Sequence, residues 1–487
     1  MAFNWIISLR TKVITIVSDI FLLLALTFQL FAQDQNVALT IHLRGVIESK
    51  ISILALSDSR TFKPILEINA KGNGDAVKLT VPKQKLPGEF VLRFDYREKE
   101  SSTPYPSEKY FFINDQNLEL WANPMYCNNV DSIYFQKDER ENMAFTFFSK
   151  ENGMHKEKLG PLQNLLLNYD DTESKFYQQG IKEYEHRRQS YNQWLQTKSI
   201  QDSALFVSHL YCFQYVPEIP WKGSETERIG SLINHYFDNM DFKDPLLAKT
   251  SDMNKWMDAY VNLYGQLCTT ATLRDSLFPM AGKTAIEKAK QGHPLVYGWM
   301  VDYFYRGYET NGIMAGMKVL DPYLNDSTCL TSKRQEIARR LKGMETLVTG
   351  TIAPNITMKD SGGNLFDLYE LKTQCKYILL LFWSAGCSHC METVKVLYPW
   401  QQQGEMQQKI QVVAISLDET ETEIKAYRQQ ILQHKGWLHI RAEEGVRSKV
   451  ASDYFVLATP VMVLLDAKTK IIVANPNTLN ELMTAIK

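Results

Sequence analysis

Cysteine is scarce in this chain, and neither sign of charge is in surplus. Seven cysteines in 487 residues are too few for a fold held together by disulfide bonds. Lys and Arg number 54 and Asp and Glu number 55, which gives a formal net charge of −1. Without a basic surplus to neutralise phosphates, we expect no nucleic-acid partner. The 45% hydrophobic content favours a globular protein, and the length predicts roughly three domains.

Long apolar runs are also missing after residue 35, whereas one stands near the amino terminus. Arg10 and Lys12 precede an apolar stretch over residues 20–28, and Ala32 follows before a polar segment. This order is typical of a secretory signal, so we expect a signal peptide over residues 1–32. The alternative is a membrane anchor that is retained. Either way the sequence predicts a periplasmic protein, soluble or tethered once to the inner membrane, where disulfides can form.

Residues 33–150 show short apolar runs that alternate with polar residues. Period-two spacing with many β-branched and aromatic residues predicts strands, and their recurrence predicts a small antiparallel β-sandwich. The predicted strands include residues 37–43, 90–96, 118–121, 132–135 and 144–148. This region has no clustered nucleophile and no metal-ligand spacing, so we interpret it as a packing or partner-binding module.

Residues 151–348 change to helical periodicity, which is clear from about Leu159 to Leu347. Apolar and aromatic residues recur three and four positions apart, for example at Tyr177, Ile181 and Tyr184. Prolines divide the region into an expected six to nine helices. Its histidines have no partner at metal-ligand spacing, so we expect no metal site there.

Residues 349–487 alternate strands with helices, which predicts an α/β sheet covered on both faces. Residues 377–383 are a continuous apolar run of strand length, as expected for a strand buried on both faces, and residues 410–416 are predicted to form a second buried strand. A closing hairpin over residues 461–466 and 471–473 precedes a last helix over residues 478–486. The expected fold class is therefore multidomain: β-sandwich, all-α region and α/β domain.

The chemistry of the chain is expected at Cys387 and Cys390, where the first buried strand of this domain ends. Two intervening residues place both thiols on one helical turn, close enough to form a disulfide. Cys387 would begin the helix, where free N–H groups and the helix dipole favour a thiolate. Protonated His389 would act in the same direction. A dithiol exchanger needs this arrangement of one attacking and one resolving sulfur.

Other uses of a Cys-x-x-Cys pair fit this sequence poorly. A covalent haem would need His directly after the second cysteine, and Met391 stands there. Zinc or an iron–sulfur cluster would need a second ligand pair, which the sequence does not supply. The Thr or Ser and Pro expected upstream of a peroxidatic cysteine are also missing. The alternative that stays open is a structural disulfide in a short loop.

Thr459 and Pro460 form a second element, directly before the apolar strand that begins at Val461. Proline is allowed at the first position of a strand only when its missing N–H is not needed there. A cis peptide bond before Pro460 would leave the Thr459 backbone groups free to pair with an incoming chain beside the sulfurs. The alternative is an ordinary trans proline that enters a strand.

These motifs together resemble a thioredoxin-like domain. The segment from Phe382 to Cys390 follows a buried strand, and Ala353-Pro354 resembles the opening of the exported TlpA/ResA-like thiol–disulfide oxidoreductases. The resemblance implies that Cys387 is the nucleophile and Cys390 the resolving thiol. It also implies that Pro460 is a cis-proline facing the pair.

The same resemblance implies how substrate docks and what the flanking regions are. Trp383, Thr459 and Pro460 would form the apolar, backbone-pairing surface that docks substrate. Residues 37–348 resemble, more weakly, the uncharacterised β-sandwich and helical modules that precede such domains, and this likeness brings no activity with it.

The chain also departs from the family pattern. Thioredoxin has a buried Asp six positions before the first cysteine, where this chain has Leu381. The Glu-x-Pro of the exported branch is replaced by residues 392–394, Glu-Thr-Val, so the base for Cys390 is unassigned. Ser388 and His389 between the thiols resemble the Pro-His of oxidising members and would raise the reduction potential. The direction of electron flow therefore stays open between reductase and oxidase or isomerase.

The sequence thus predicts an exported thiol–disulfide oxidoreductase, in the first instance a periplasmic protein-disulfide reductase. Its expected partners are protein or small-molecule thiols and disulfides and an electron donor in the membrane, with no cofactor and no metal. The alternative is a partner-binding protein whose C-terminal domain is redox-inert. The oligomeric state stays open, and the other five cysteines are expected to be mostly buried.

Overall fold

A computed structural model describes residues 36–56, 64–72, 76–129, 132–456 and 459–486 of the chain. The chain divides into two compact units, one that ends at Ser332 and one that begins at Lys333. The expected signal peptide over residues 1–32 lies outside the described residues. Among the helices that the structure describes, none combines the length and apolarity needed to cross a bilayer.

The first unit opens with a β-sandwich of two four-stranded sheets. Its strands are β1 (Val37–Leu43), β2 (Glu48–Ala55), β3 (Leu66–Lys71), β4 (Ala76–Val81), β5 (Gly88–Arg97), β6 (Tyr105–Ile113), β7 (Leu118–Ala122) and β8 (Ile133–Phe135). The strand orders are β4-β1-β7-β8 and β3-β2-β5-β6, so that β6 and β8 are edge strands.

Alternating burial explains why these segments form a sandwich. Every second residue of β1 is buried, and these residues share one core with the inner faces of β2 and β5. One pair departs from the predicted antiparallel arrangement, because β1 and β7 run parallel with Leu39 opposite Leu118. A parallel pair needs a long crossover between its strands, and residues 44–117, which contain the whole of the second sheet, supply it.

The strand predicted over residues 144–148 is wrong, because these residues lie inside the first helix. Helix α1 (Glu141–Leu167) begins just after Glu139, whose carboxylate accepts the backbone N–H groups of Asn142 and Met143 at 2.9 Å each. Phe145 packs edge-on against Phe112 of β6, with ring centroids 4.7 Å apart. The aromatic residues that imitate strand alternation are therefore contacts of a helix with the sandwich.

The helical region confirms the expected periodicity. Seven further helices follow α1 in this unit: α2 (Lys175–Gln201), α3 (Glu225–Asn234), α4 (Asp252–Leu267), α5 (Ala271–Lys290), α6 (Pro294–Thr310), α7 (Met314–Val319) and α8 (Asp321–Leu324). Tyr177 and Tyr184 are buried on one face of α2, and the Ser174 side chain caps its first turn. Pro294 occupies the first turn of α6, where its missing N–H costs nothing.

The second unit is an α/β fold around one five-stranded sheet. It contains α9 (Arg334–Thr346), β9 (Thr357–Lys359), β10 (Leu365–Asp367), β11 (Tyr377–Trp383), α10 (Ser388–Gln401), α11 (Met406–Lys409), β12 (Ile410–Ser416), α12 (Glu421–Gln433), β13 (Leu438–Arg441), α13 (Lys449–Asp453), β14 (Val461–Asp466), β15 (Ile472–Ala474) and α14 (Leu479–Ala485). The sheet order is β13-β12-β11-β14-β15. Strand β11 pairs parallel with β12 and antiparallel with β14.

Central strand β11 is buried on both faces, as its continuous apolar sequence predicts. Its even-numbered residues face one hydrophobic core, and its odd-numbered residues, which include Trp383, face a second core that also contains Cys390. The strand ends at Trp383, and α10 begins at Ser388 after four intervening residues. This junction places the cysteine pair at the carboxyl edge of the sheet.

Candidate functional site

Cys387 is the N-cap residue of helix α10, and its sulfur makes the capping hydrogen bond. Cys387 Sγ accepts the backbone N–H of Cys390 at 3.2 Å, and the Cys387 thiol donates to the Thr459 carbonyl, with sulfur and oxygen 3.6 Å apart. A backbone N–H that points at a sulfur stabilises negative charge that develops there. The Cys387 sulfur thereby occupies the capping position that a Ser or Asp side chain usually takes at a helix start.

The two thiols have unequal surroundings. Cys387 is partly exposed, whereas Cys390 is fully buried under the first turn of α10. Burial raises the pKa of Cys390 to about 12, and its hydrogen bond with the Cys387 thiol acts in the same direction. One sulfur is therefore accessible to solvent and the other is not. A pair made of one attacking and one resolving thiol needs this asymmetry.

Thr459 and Pro460 lie beside the pair. The peptide bond between them is cis, and the Thr459 carbonyl accepts the Cys387 thiol hydrogen. Strand β14 begins directly afterwards at Val461 and pairs with β11. The structure therefore brings together four of the seven residues singled out in the sequence: Cys387, Cys390, Thr459 and Pro460.

Trp383 does not lie on the substrate-docking surface predicted for it. Its side chain is fully buried and packs against Tyr427 and His434, with ring centroids 6.1 and 6.5 Å away. As an odd-numbered residue of β11 it faces the internal core. Trp383 therefore supports the strand that carries the loop to Cys387 and has no surface to offer a substrate.

Ser388 and His389 are exposed in the first turn of α10. The His389 imidazole Nδ1 lies 3.7 Å from the Glu392 carboxylate, so a protonated His389 would form an ion pair within its own helix. The influence of Ser388 and His389 on the reactivity of the thiols stays a prediction.

Asp418 is a site residue that the sequence reasoning missed. It follows β12, is fully buried, and accepts hydrogen bonds from the Ser384 hydroxyl at 2.6 Å and the Ala385 N–H at 2.9 Å. The Ser416 hydroxyl donates to its second oxygen at 2.6 Å. The carboxylate thereby fixes the loop that leads from β11 to Cys387. Because β11 and β12 are parallel neighbours, an acid just after β12 could have been placed at this edge from the sequence.

Gly386, in the same loop, lies close to the Glu423 side chain, so a larger residue here would require Glu423 to move. A Cβ atom at this position would lie 2.8 Å from the Glu423 Oε1 atom. Glu423 is itself held in a capping box with Thr420 at the start of α12. The loop before Cys387 is therefore enclosed by the first turn of α12 as well as by Asp418.

All seven cysteines have free thiols in this structure, the site pair included. Of the other five, Cys127 and Cys329 are buried, whereas Cys212, Cys268 and Cys375 are partly exposed, so the expectation that most of them are buried is wrong. Within the described ranges, no three His, Cys, Asp or Glu side chains are grouped so as to hold a metal ion.

A comparison with protein families gives a match within the C-terminal unit. Residues 374–471 match a family model described as thioredoxin-like. The C-terminal unit contains a thioredoxin-like domain. The match covers β11, the cysteine pair, β12, α12 and the Thr459–Pro460 segment. A search of curated proteins gave no match.

Several solved structures are also similar to this chain. A thioredoxin-like protein from Bacteroides caccae is 21% identical, over 56% of this chain and 96% of that one, with a TM-score of 0.38. A domain of a possible thiol-disulfide isomerase from Cytophaga hutchinsonii is 32% identical, over 28% of this chain and 90% of that one, with a TM-score of 0.25. The thioredoxin domain of a thiol-disulfide oxidoreductase from Bacteroides vulgatus is 25% identical, over 29% and 99%, with a TM-score of 0.25.

Proposed function

We propose that the protein is an exported thiol–disulfide oxidoreductase that reduces disulfides through Cys387 and Cys390. The observation that carries the proposal is the asymmetry of the pair: a partly exposed sulfur caps a helix, and a buried sulfur lies one turn away. A structural disulfide would need no such difference in exposure and no open surface beside the first sulfur. The thioredoxin-like family match over residues 374–471 supports the same reading.

The reaction is a two-step exchange. The Cys387 thiolate attacks one sulfur of a substrate disulfide, the substrate S–S bond breaks, and the leaving thiolate takes up a proton. Cys390 then loses its proton, attacks Cys387 Sγ and releases the second substrate thiolate. The substrate gains two electrons and two protons, and the domain retains a Cys387–Cys390 disulfide.

Three features of the site fit these steps. The Cys390 N–H that points at Cys387 Sγ stabilises charge on the sulfur that attacks first and leaves last. Burial keeps Cys390 protonated until the mixed disulfide forms, because its pKa is raised to about 12. The backbone of Thr459 next to the attacking sulfur offers an incoming chain a place to pair.

The sequence order over residues 1–32 supports export to the periplasm, and an electron donor in the membrane would then re-reduce the pair. Export is checked by expressing the full chain in a Gram-negative host, fractionating the cells and sequencing the amino terminus of the recovered protein. The proposal expects a periplasmic protein that begins at residue 33. Recovery from the cytosol with Met1 intact would contradict it.

The exchange reaction is tested by trapping its intermediate. A Cys390→Ser chain incubated with a disulfide-containing protein should accumulate a covalent adduct that added dithiothreitol releases, because the resolving thiol is missing. Trypsin cleavage leaves both site cysteines on the peptide of residues 377–395, which contains no other cysteine, so mass spectrometry locates the adduct directly.

The matched control is Cys387→Ser, which should give no adduct on that peptide. Adduct formation by Cys387→Ser instead would reverse the assigned roles of the two sulfurs. Failure of both variants to form an adduct would favour a redox-inert domain.

A further inference from the structure

The first unit carries an edge strand with one open backbone position. Strand β6 (Tyr105–Ile113) ends the sheet β3-β2-β5-β6 and pairs only with β5 among the described strands. Edge strands expose N–H and C=O groups that can pair with another chain, and natural proteins usually block them.

The hydrogen bonds of the Asn142 side chain show which backbone groups of β6 face away from β5. The Phe112 N–H donates to Asn142 Oδ1 at 2.8 Å, and the Phe112 carbonyl accepts from Asn142 Nδ2 at 2.9 Å. The backbone groups of Phe112 therefore face away from β5. Because alternate residues of an antiparallel strand face the same edge, those of Pro106, Glu108 and Tyr110 face outward too.

Part of this edge is blocked. Asn142 takes both groups of Phe112, and the Glu108 carbonyl accepts the Cys127 thiol hydrogen at 3.1 Å. Pro106 has no N–H to offer. Tyr110 is left with both its N–H and its C=O unpaired among the described residues.

An aromatic cleft lies along this open position. It has a volume of about 1030 Å³ and is formed by β6, the end of β8, the first half of α1 and the start of α4. Tyr110 and Phe147, two of its lining residues, are 51% and 61% exposed, and Tyr134 and Met143 are exposed as well. A concave surface with several exposed apolar side chains is typical of a binding site.

Lys109 adds a positive charge to the cleft. It is half-buried there, and burial lowers the pKa of its ammonium group. No carboxylate of a described residue is paired with it. An anionic group on the occupant would gain an interaction with Lys109 that the free protein does not have.

We propose that this cleft binds an extended polypeptide segment, whose backbone pairs with Tyr110 while its apolar side chains lie among the exposed rings. An extended chain offers a donor and an acceptor with the spacing that the open Tyr110 groups require. An acidic residue of the segment would contact Lys109. A fatty acid would fill the apolar cleft and reach Lys109, but it leaves the Tyr110 N–H and C=O unpaired.

The test measures binding of an unfolded protein to the full chain. The probe is a fluorescently labelled protein that has been reduced and carboxamidomethylated, so that it stays unfolded and carries no disulfide. Both site cysteines are replaced by serine in every variant, which makes the result independent of the thiol exchange proposed above. A failure here would therefore leave the proposed redox function standing.

Tyr110→Pro removes the outward N–H of this residue and leaves the hydrogen bonds between β6 and β5 in place. Strand β6 already contains Pro106, whose backbone faces the same edge. We expect fluorescence anisotropy to show binding weakened by about tenfold, because the hydrogen bond from the Tyr110 N–H and the contacts of its ring are both lost. Tyr110→Phe, which keeps the backbone and ring, should bind within about twofold of the parent chain.

Phe147→Ser is a second variant that leaves the edge strand untouched. Phe147 is exposed, so the fold is retained, and loss of its ring should weaken binding about fivefold. The matched control is Phe176→Ser, an equally exposed Phe on α2 outside the cleft, which should leave binding unchanged. Parent-like binding by both Tyr110→Pro and Phe147→Ser would overturn the proposal. Displacement of the probe by oleate, with oleate affinity unaffected by Tyr110→Pro, would assign the cleft to a fatty acid instead.

Discussion

At the scale of single residues, the site depends on a carboxylate that does not touch either sulfur. Asp418 accepts hydrogen bonds from Ser384 and Ala385, three and two positions before Cys387. Its burial means that these donors have no water to replace it. Asp418 is therefore a positioning residue for the loop that leads to Cys387.

Replacing Asp418 by Ala should both destabilise the domain and slow the exchange reaction. Loss of a buried acceptor for three donors is expected to lower the free energy of unfolding by about 2 to 4 kcal/mol. Displacement of the loop should slow attack of Cys387 on a small aromatic disulfide by about tenfold. Urea denaturation and stopped-flow absorbance measure the two effects.

Asp466→Asn provides the matched control. Asp466 accepts hydrogen bonds from Thr469 and Lys468 in the turn after β14, away from the loop before Cys387. This variant should lose stability but keep the parent exchange rate. If Asp418→Ala also keeps the parent rate at a temperature where it is folded, Asp418 serves stability alone.

At the scale of elements, the core between β11, α10 and α12 contains two buried histidines. His434 contacts Tyr398 and Trp437, and the His434 carbonyl lies 3.2 Å from His439 Nε2. Burial lowers the pKa of His434 to about 4, and burial also lowers the pKa of His439. Both are therefore neutral in the folded domain at pH 7.

Stability should fall as the pH falls from 6.5 towards 4. In this window the unfolded chain binds a proton at His434 that the folded chain excludes, so the free energy of unfolding rises with pH. We expect a loss of about 2 kcal/mol between pH 7 and pH 5 from this residue, since each unit of pKa shift corresponds to about 1.4 kcal/mol. Urea denaturation at the two pH values measures it.

His434→Phe should remove much of this pH dependence, and exposed His389→Ala should leave it in place. If the free energy of unfolding of His434→Phe depended on pH as steeply as that of the parent chain, other groups would be responsible for the loss of stability in acid.

Elements were predicted from the sequence where one signal dominated. Strand β11 has seven continuous apolar residues, and β12 has five apolar residues among its seven, so no other local pattern competes with a buried strand there. Strand β13, with His439 and Arg441 in four residues, has no such signal and was missed. The aromatic residues of 144–148 fit a strand pattern. They lie in a helix whose first turn is stabilised by hydrogen bonds to the Glu139 carboxylate.

The site was predictable for residues that lie close together in the sequence. The spacing of Cys387 and Cys390 shows that they share a helical turn, and proline at a strand start singles out Pro460. The orientation of Trp383 was not predictable, because β11 is apolar at every position and alternation cannot tell one face from the other. Asp418 comes from a different strand, so only the parallel pairing of β11 and β12 brings it to the loop.

At the scale of the whole molecule, the C-terminal unit begins well before the first strand of the thioredoxin-like domain. Leu347, just after α9, packs against the domain core, and its carbonyl accepts a hydrogen bond from Asn475 at 2.6 Å. Gly343 of α9 lies against the Phe455 ring, since a Cβ atom there would be 2.6 Å from the Phe455 side chain. These contacts make residues 333–348 part of the second unit.

A fragment of residues 333–487 should therefore be more stable than one of residues 349–487. We expect a difference of about 1 to 2 kcal/mol, from the lost Leu347 packing and the Asn475 hydrogen bond. Urea denaturation of the two purified fragments measures it. Equal stability would show that α9 and Leu347 do not stabilise the thioredoxin-like domain.

The most direct test of thiol–disulfide exchange by this protein is the reduction potential of the Cys387–Cys390 pair. The full chain is equilibrated in defined thiol–disulfide buffers, alkylated and digested, and the redox state is read on the peptide of residues 377–395. The proposed activity predicts a midpoint between about −120 and −270 mV, the range of catalytic exchangers, with a reductase near the lower end of that range. A midpoint below about −300 mV would mark a stable structural disulfide and contradict the proposed activity.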